Sequence, residues 1–491
     1  MELKYENSQL LSKIANTYHG ENSPYFSVKQ VYDADPFHPT KNPNGIIQMA
    51  VAENKLTYEL IAEWIKKNPG ASVCSPEGAD DFKNIAAFQD FHGLPEFRDL
   101  TYELIAEWIK KNPGASVCSP EGADDFKNIA AFQDFHGLPE FRDAVAKIMK
   151  KVRGGKVNYD PDRIVMAGGV RGAMEMVMFC LADPGDAFLV PSPWYPGFDR
   201  FLKWRTGVQL FPVVCESSNN FQITREALEE AYDNARKANI RVKGLVITNP
   251  SNPLGNTVDR DTLRTLVTFI NDKQIHFLCD EVYAATVFRS PDFVSVSEII
   301  EEVECNRNLI HLLYGLAKDL GLSGFRVGIV YSYNDTVMNL CRKMSMVCLV
   351  SSQTQYFIAR MLSDEEFIDE FLSESAARLG RRHNTFIKGL EKAGIKCLES
   401  NGAVYCWMDL RQLLQEPTFE AETSLWKMII NVYKLNVLPG STFHCKEPGW
   451  FRISFASMDD ETLRVALERI QIFASEILNG HNFISNTCNG K

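Results

Sequence analysis

From Asp160 onward the chain alternates short apolar runs with longer stretches of helical spacing. The apolar runs, bounded by Gly, Pro, Asn or Asp, predict strands at Arg163–Met166, Ala187–Val190, Gln209–Val213, Gly244–Thr248, His276–Cys279, Leu309–Tyr314 and Val327–Tyr331. Between them, Arg171–Leu181, Thr224–Lys237 and Asp261–Asn271 carry apolar residues at the spacing of one helical face. Such alternation predicts an α/β fold around a mostly parallel sheet, with residues 144–333 as the large domain. After Asn334 the texture changes to long amphipathic helices at Asn334–Met346, Gln353–Met361 and Asp364–Ala393. Strands near Cys397 and at Val404–Met408 and Phe451–Phe455 follow, then a last helix, Asp460–Ile477. Residues 334–478 thus read as a smaller α+β domain, which residues 1–55 join through an extended, Pro- and Asn-rich passage. The polar end, 479–491, reads as a flexible tail.

One stretch breaks the pattern. Leu56 to Asp99 recurs without a change as Leu100 to Asp143, a direct repeat of 44 residues. Solenoids need at least three related units, so the block 56–143 is a tandem duplication or an error in the coding sequence rather than a repeat architecture. Identical copies let the fold use the start of the first and the end of the second. Glu53 is continuous with the first copy's helix, and the helix after residue 143 is continuous with the second copy's end. Thr57–Lys67 and Phe132–Asp143 are therefore predicted to hold the native positions, with a surplus at about 76–119. Closing such a loop costs only roughly 3 kcal/mol of entropy.

The 491 residues suffice for two or more domains. A balance of 52 basic against 63 acidic residues, net −11, argues against a nucleic-acid or anionic-membrane partner. Twelve cysteines without a CxxC pair read as reduced thiols rather than metal or disulfide frameworks. The N-terminus has no apolar signal core and no run reaches membrane length, so a soluble cytoplasmic protein is expected.

Candidate chemistry centres on His311–Gly328, where an apolar strand delivers Lys318 to a small-residue turn, with Arg326 eight residues on. A desolvated lysine loses its proton easily and can attack an aldehyde, and a fixed guanidinium suits a phosphate. A surface lysine after a turn is the plain alternative. The glycines of AGGVRG, residues 167–172, precede a helix and could close backbone N–H groups on an anion, or simply pack. Asn252 in TNPSNPLG follows a strand and could donate to a ligand oxygen, or sit in a Pro-rich turn. Asp280 in CDEVY calls for a cation if buried, such as a protonated heterocyclic nitrogen, or caps a helix. Arg452 in GWFRISF wants a carboxylate, from a ligand or from the protein itself.

Taken in order, these motifs with MAVAEN, FQDFHGLPEFR, PSPWYPGF, NPLG, KDLGLSGFRVG and CKEPGWFRISFA resemble the fold-type I pyridoxal-phosphate enzymes. Within that superfamily they look most like plant 1-aminocyclopropane-1-carboxylate synthases. The resemblance covers nearly the whole chain once one repeat copy is discounted. It implies a pyridoxal 5'-phosphate cofactor joined to Lys318, which also carries the substrate proton. Asp280 would pair with the ring nitrogen, Asn252 and Tyr283 donate to the ring oxygen, and Tyr195 stack on the ring. Gly169, Val170, Arg171 and Arg326 would hold the phosphate, Arg452 the substrate α-carboxylate, and Glu53 would help to recognise the substrate. The implied reaction takes S-adenosylmethionine to 1-aminocyclopropane-1-carboxylate, the precursor in ethylene biosynthesis and fruit ripening, in a homodimer or a heterodimer with related subunits.

The departures from the family cluster at the phosphate. Gly315 and Ala317 stand where it has serines, Gly169-Val170-Arg171 where it has Gly-Ala-Thr, and Phe91 or Phe135 where its tyrosine reaches across the dimer. Three readings follow: an active synthase, an aminotransferase on the same fold, or a weakly active chain that pairs with active subunits. The repeat carries its own prediction. A variant lacking residues 76–119, 447 residues long, should fold and melt no lower than the full chain; a clear fall in Tm would mean that the extra block is built into the fold.

Overall fold

The computed structural model describes residues 24–68 and 134–488, so the expected surplus at 76–119, with Phe91, lies outside the described residues. Helices α1 (Pro24–Ala34), α2 (Tyr58–Lys67) and α3 (Pro139–Lys151) lead into strand β1 (Ile164–Gly168). There follow α4 (Gly169–Leu181), β2 (Ala187–Ser192), β3 (Gln209–Val214), α5 (Arg225–Lys237), β4 (Val242–Thr248), α6 (Arg260–Lys273), β5 (His276–Asp280), β6 (Ile310–Gly315) and β7 (Val327–Ser332). Helices α7 (Asp335–Ser345), α8 (Ser352–Ser363) and α9 (Glu365–Lys392) come next. Then come β8 (Tyr405–Asp409), α10 (Phe419–Asn431), β9 (Trp450–Ser454) and α11 (Asp460–Cys488).

The seven strands β1–β7 form one sheet in the order β1-β7-β6-β5-β4-β2-β3, parallel except for β7. Apolar residues fill both faces. Ile164 and Met166 of β1 enter one core while Val165 and Ala167 enter the opposite one, as the two-residue period of a strand requires. The first core is covered by α2, α3, α5, α6 and α8, the second by α4 and α7. A smaller sheet pairs β9 with β8 and with Leu438–Pro439, all antiparallel, and has its own apolar core. Capping side chains set several helix starts: Thr224, Asp259, Asn334 and Asp364 each accept a backbone N–H in the first turn.

Two differences from the sequence expectations have physical causes. The two cores part within α9 rather than at residue 334: Ile368 and Phe371 pack on the large core, Leu379, Phe386 and Leu390 on the small one. Helices α7 and α8 are amphipathic, and amphipathicity says that a helix has a partner without saying which. The expected flexible tail, 479–491, is helical to Cys488, since no proline follows Ile477 and Gly480 alone is a modest penalty. Both ends of the duplicated block that fall among the described residues are built into the core. Trp64 of α2 donates to Asp364 at 2.7 Å, and Phe141 of α3 is fully buried.

At the far end of the sheet His276 Nδ1 lies 3.0 Å from His311 Nε2, and His311 Nδ1 lies 2.8 Å from Ser332 Oγ. Burial pulls His311 down to about 3, helped by the charge that His276 would carry. The neutral ring is the folded form, so stability is complete above the unfolded value near 6.5 and is lost progressively as pH falls below it. Between pH 7 and pH 5 this one ring should remove about 2 kcal/mol. Urea midpoints at the two pH values should differ accordingly, and by less in His311→Asn.

Candidate active site

Strand ends converge on one cleft. Asp280 ends β5, paired with Thr248 of β4 on one side and Leu313 of β6 on the other. Gly315 of β6 lies opposite Gly328 of β7, which sets Lys318 and Arg326 on the same edge of the sheet. Gly168 of β1 pairs with Val327, so the first turn of α4 meets Arg326. The approach is tight: a Cβ on Gly328 would lie 2.1 Å from the carbonyl carbon of Gly169. Gly169 itself has φ +76°, and a Cβ there would lie 2.3 Å from an Arg326 nitrogen. Only glycine allows the guanidinium to rest against the helix start.

Lys318 lies in the short helix Leu316–Asp319 and donates to the carbonyl of Ala52 at 2.5 Å. Burial pulls its amine down to about 8, with Tyr195 and Glu53 opposing and the charges of Arg171 and Arg452 assisting. Asp280 is 5% exposed and forms no ion pair within 4 Å among the described residues. It accepts the Val282 N–H at 3.3 Å, so it caps a turn rather than a helix. Burial pushes its carboxyl up to about 7, against the pull of the Val282 N–H. Such a group suits a cationic partner that would restore its charge.

Asn252 lies 3.5 Å by its amide nitrogen from the Tyr283 hydroxyl, and its oxygen accepts from Arg452 at 3.0 Å. Burial pushes the Tyr283 phenol up, so it remains a donor. Arg452, 2% exposed, also donates to Ala50 O at 2.5 Å, and its Nε has no partner. No carboxylate pairs with it among the described residues, which removes the internal salt bridge as its explanation. Arg171 donates to the Tyr195 hydroxyl at 3.2 Å and lies over the Phe201 ring at 4.6 Å. Burial and the nearby charge of Arg171 pull Arg326 down to about 10. Glu53 is buried and meets Lys55 at 3.2 Å.

Three features had no sequence signal. Tyr405 lies under both Arg452, at 5.0 Å, and Tyr283, at 5.6 Å. The carbonyls of Ala50 and Ala52 are backbone and leave no trace in composition. Behind Asp280, the fully buried Glu281 accepts from Arg153 at 2.7 Å, from Ser295 at 2.8 Å and from the Val296 N–H at 2.9 Å. Adjacent acidic residues in CDEVY gave no hint that one is saturated and the other is held in reserve.

An unpaired buried carboxylate, a lysine of lowered pKa, and a helix start without acidic residues facing two arginines fit pyridoxal phosphate at ring nitrogen, aldehyde and phosphate. The fold is that of the fold-type I pyridoxal-phosphate enzymes. Residues 101–470 match the aminotransferase class I and II family. A 1-aminocyclopropane-1-carboxylate synthase 2 of Solanum lycopersicum is 57% identical over 470 residues, 95% of this chain and 88% of that protein. A 1-aminocyclopropane-1-carboxylate synthase of Nicotiana tabacum is 57% identical over 95% of this chain and 87% of its own length. The structure also resembles aspartate aminotransferase from Thermotoga maritima, with TM-score 0.67 and 20% identity over 95% of this chain and 100% of that one, a likeness of fold. The chain belongs to the 1-aminocyclopropane-1-carboxylate synthases, a branch of the aminotransferase class I and II family.

Lys318 should capture added pyridoxal phosphate covalently, read as a borohydride-fixed mass increase on a peptide containing Lys318. Because only the neutral amine attacks, the rate should climb as pH rises through about 8. Lys318→Ala should show no capture at any pH.

Proposed function

We propose that the chain converts S-adenosylmethionine to 1-aminocyclopropane-1-carboxylate and methylthioadenosine, with pyridoxal phosphate held at Lys318. Its relatives' names support the reaction, and the observation that carries the substrate end is Arg452. A buried guanidinium with an unsatisfied Nε and no carboxylate among the described residues calls for an anion. The substrate α-carboxylate supplies it. Asp280, Asn252 and Tyr283 would hold the cofactor ring, Tyr195 would lie against it, and Gly169, Val170, Arg171 and Arg326 would form the cup for its phosphate.

When bound, the cofactor supplies an electron sink for charge released at the substrate α carbon. Asp280 would pair by its charge with the ring nitrogen, which would preserve that sink. Lys318 Nζ takes the α proton. The Cα–Cγ bond forms as the Cγ–S bond breaks, and its electron pair goes to sulfur, which turns from sulfonium to neutral thioether. That leaving group needs no acid from the protein. Glu53, one residue beyond the Ala52 carbonyl that holds Lys318, stands where it can order the substrate.

A second subunit, this chain or a related one, is proposed to cover the apolar surface beside the cup. There Val347 is 82% exposed, with Met346, Leu349 and Phe135 also exposed, and Ser345 tied to Phe135 O at 2.7 Å. The absence of hydroxyl side chains at Gly315 and Ala317 favours a second reading, in which the chain works chiefly as a weakly active partner. One assay separates the readings. The purified protein with S-adenosylmethionine should release the cyclopropane acid; keto acid from an amino donor would mean a transaminase, and neither product the partner role. Arg452→Met should cost about 2–4 kcal/mol of substrate binding, roughly a 30- to 1000-fold rise in KM.

A further inference from the structure

Two positions of the cup are coupled. Gly315 ends β6 with extended backbone, φ −177° and ψ 158°, which any residue can adopt. What excludes a side chain there is contact. A Cβ on Gly315 would lie 2.6 Å from Val170 Cγ2 and 2.8 Å from the carbonyl oxygen of Val327. Val170 in turn packs against apolar residues of both the small-domain core and the α4–α7 core, so its methyl is not free to swing aside. In this backbone the valine at 170 thus adds a side-chain clash, for any residue larger than glycine at 315, to the backbone one at Val327. Next along the helix, Arg171 stands over Phe201 and against Tyr195, close enough for its charge to act on Arg326. Arg326 is fixed from both ends: its carbonyl accepts the Gly169 N–H at 2.7 Å, and its guanidinium donates to Ser323 O at 3.0 Å. Two guanidinium groups and the positive end of α4 therefore converge, an arrangement that a phosphate dianion stabilises and neutral ligands do not.

We propose that Val170 and Gly315 form a steric interlock that closes the hydroxyl position of the phosphate cup, and that Arg171 joins Arg326 in binding the phosphate by charge. This rests on the cofactor reading above and adds to it how this chain holds the phosphate. A guanidinium pair attracts a dianion more strongly than a hydroxyl does, and its attraction is screened by salt. Cofactor retention then depends on ionic strength, and a serine at 315 harms the cup unless residue 170 shrinks.

The test uses the full chain stripped of cofactor, titrated with pyridoxal phosphate and with phosphate-free pyridoxal at low and high salt. Gly315→Ser should weaken pyridoxal phosphate about tenfold or more, and adding Val170→Ala should recover at least about half of that loss on a logarithmic scale. The contact with Val327 O is present in both backgrounds, so the recovery isolates the side-chain clash. Arg171→Met should weaken pyridoxal phosphate by about tenfold or more, leave pyridoxal within about twofold, and flatten the salt dependence. Tm of the cofactor-free variants gives a second readout, in which Val170→Ala should lessen the damage done by Gly315→Ser. Strictly additive effects in both readouts would overturn the interlock. Unchanged affinity in Arg171→Met would overturn the shared phosphate. A wild-type chain that takes up neither ligand would overturn the cofactor reading itself, whereas uptake without coupling would overturn only the interlock.

Discussion

The site depends on a backbone contact with no room for a side chain. Strand β7 runs antiparallel between β1 and β6, and at Gly328 it passes under the first residues of α4 so closely that a single methyl would collide with the Gly169 carbonyl carbon. The register of β7 against both neighbours is what lets Arg326, Lys318 and the α4 N-terminus share one cleft. A one-residue slip would turn every β7 side chain to the other face, moving Val327, Ile329 and Tyr331 out of the core they fill. Packing of the large core therefore enforces the geometry of the cup.

Around this contact the fold keeps charges of two kinds. Glu281 and Arg153 are fully buried, yet the carboxylate is saturated by the arginine, Ser295 and the Val296 N–H. That pair ties the end of β5 to the turn that follows α3, and losing either partner would strand the other in an apolar core. One residue earlier Asp280 has only a long backbone contact, and across the cleft Arg452 is bound by an amide and a carbonyl. Those weaker arrangements leave each charge with binding capacity in reserve. Glu281 has spent its hydrogen-bonding capacity on holding the strand in place, whereas Asp280 keeps the capacity that its proposed role requires.

Sequence patterning located the sheet well because its strands are apolar on both faces, and continuous apolar runs end sharply at glycine, proline or a charge. It located Arg452 as a candidate because it interrupts an apolar strand, and Lys318, Asp280 and Asn252 because each stands where an apolar strand ends. What it could not reach is of two sorts. Contacts made by main-chain carbonyls, as at Ala50 and Ala52, carry no residue signature. Contacts that depend on shape, as between Val170 and Gly315 or under Tyr405, need the register of strands that are far apart in the chain. Arg171 belongs to the second sort: its type was visible, but whether it reached inward or outward was not.

The segment before the duplicated block does more than cross the surface. Ile47 and Gln48 pair in parallel with Leu435 and Asn436, Ser454 N–H donates to Met49 O, and Lys55 N–H to Ala456 O. This clamps residues 47–55 beside β9, so the carbonyls of Ala50 and Ala52 are presented to Arg452 and Lys318 at fixed positions. Two cations from different domains are thus held by one short segment anchored to the smaller sheet. Just beyond it, the carbonyl of Leu56, the first residue of the duplicated block, is gripped by Arg378 of α9 at 2.5 Å. Since α9 is the helix within which the two cores divide, the neighbourhood of Arg452 and Lys318 is coupled to the junction between the cores through residues 47–56.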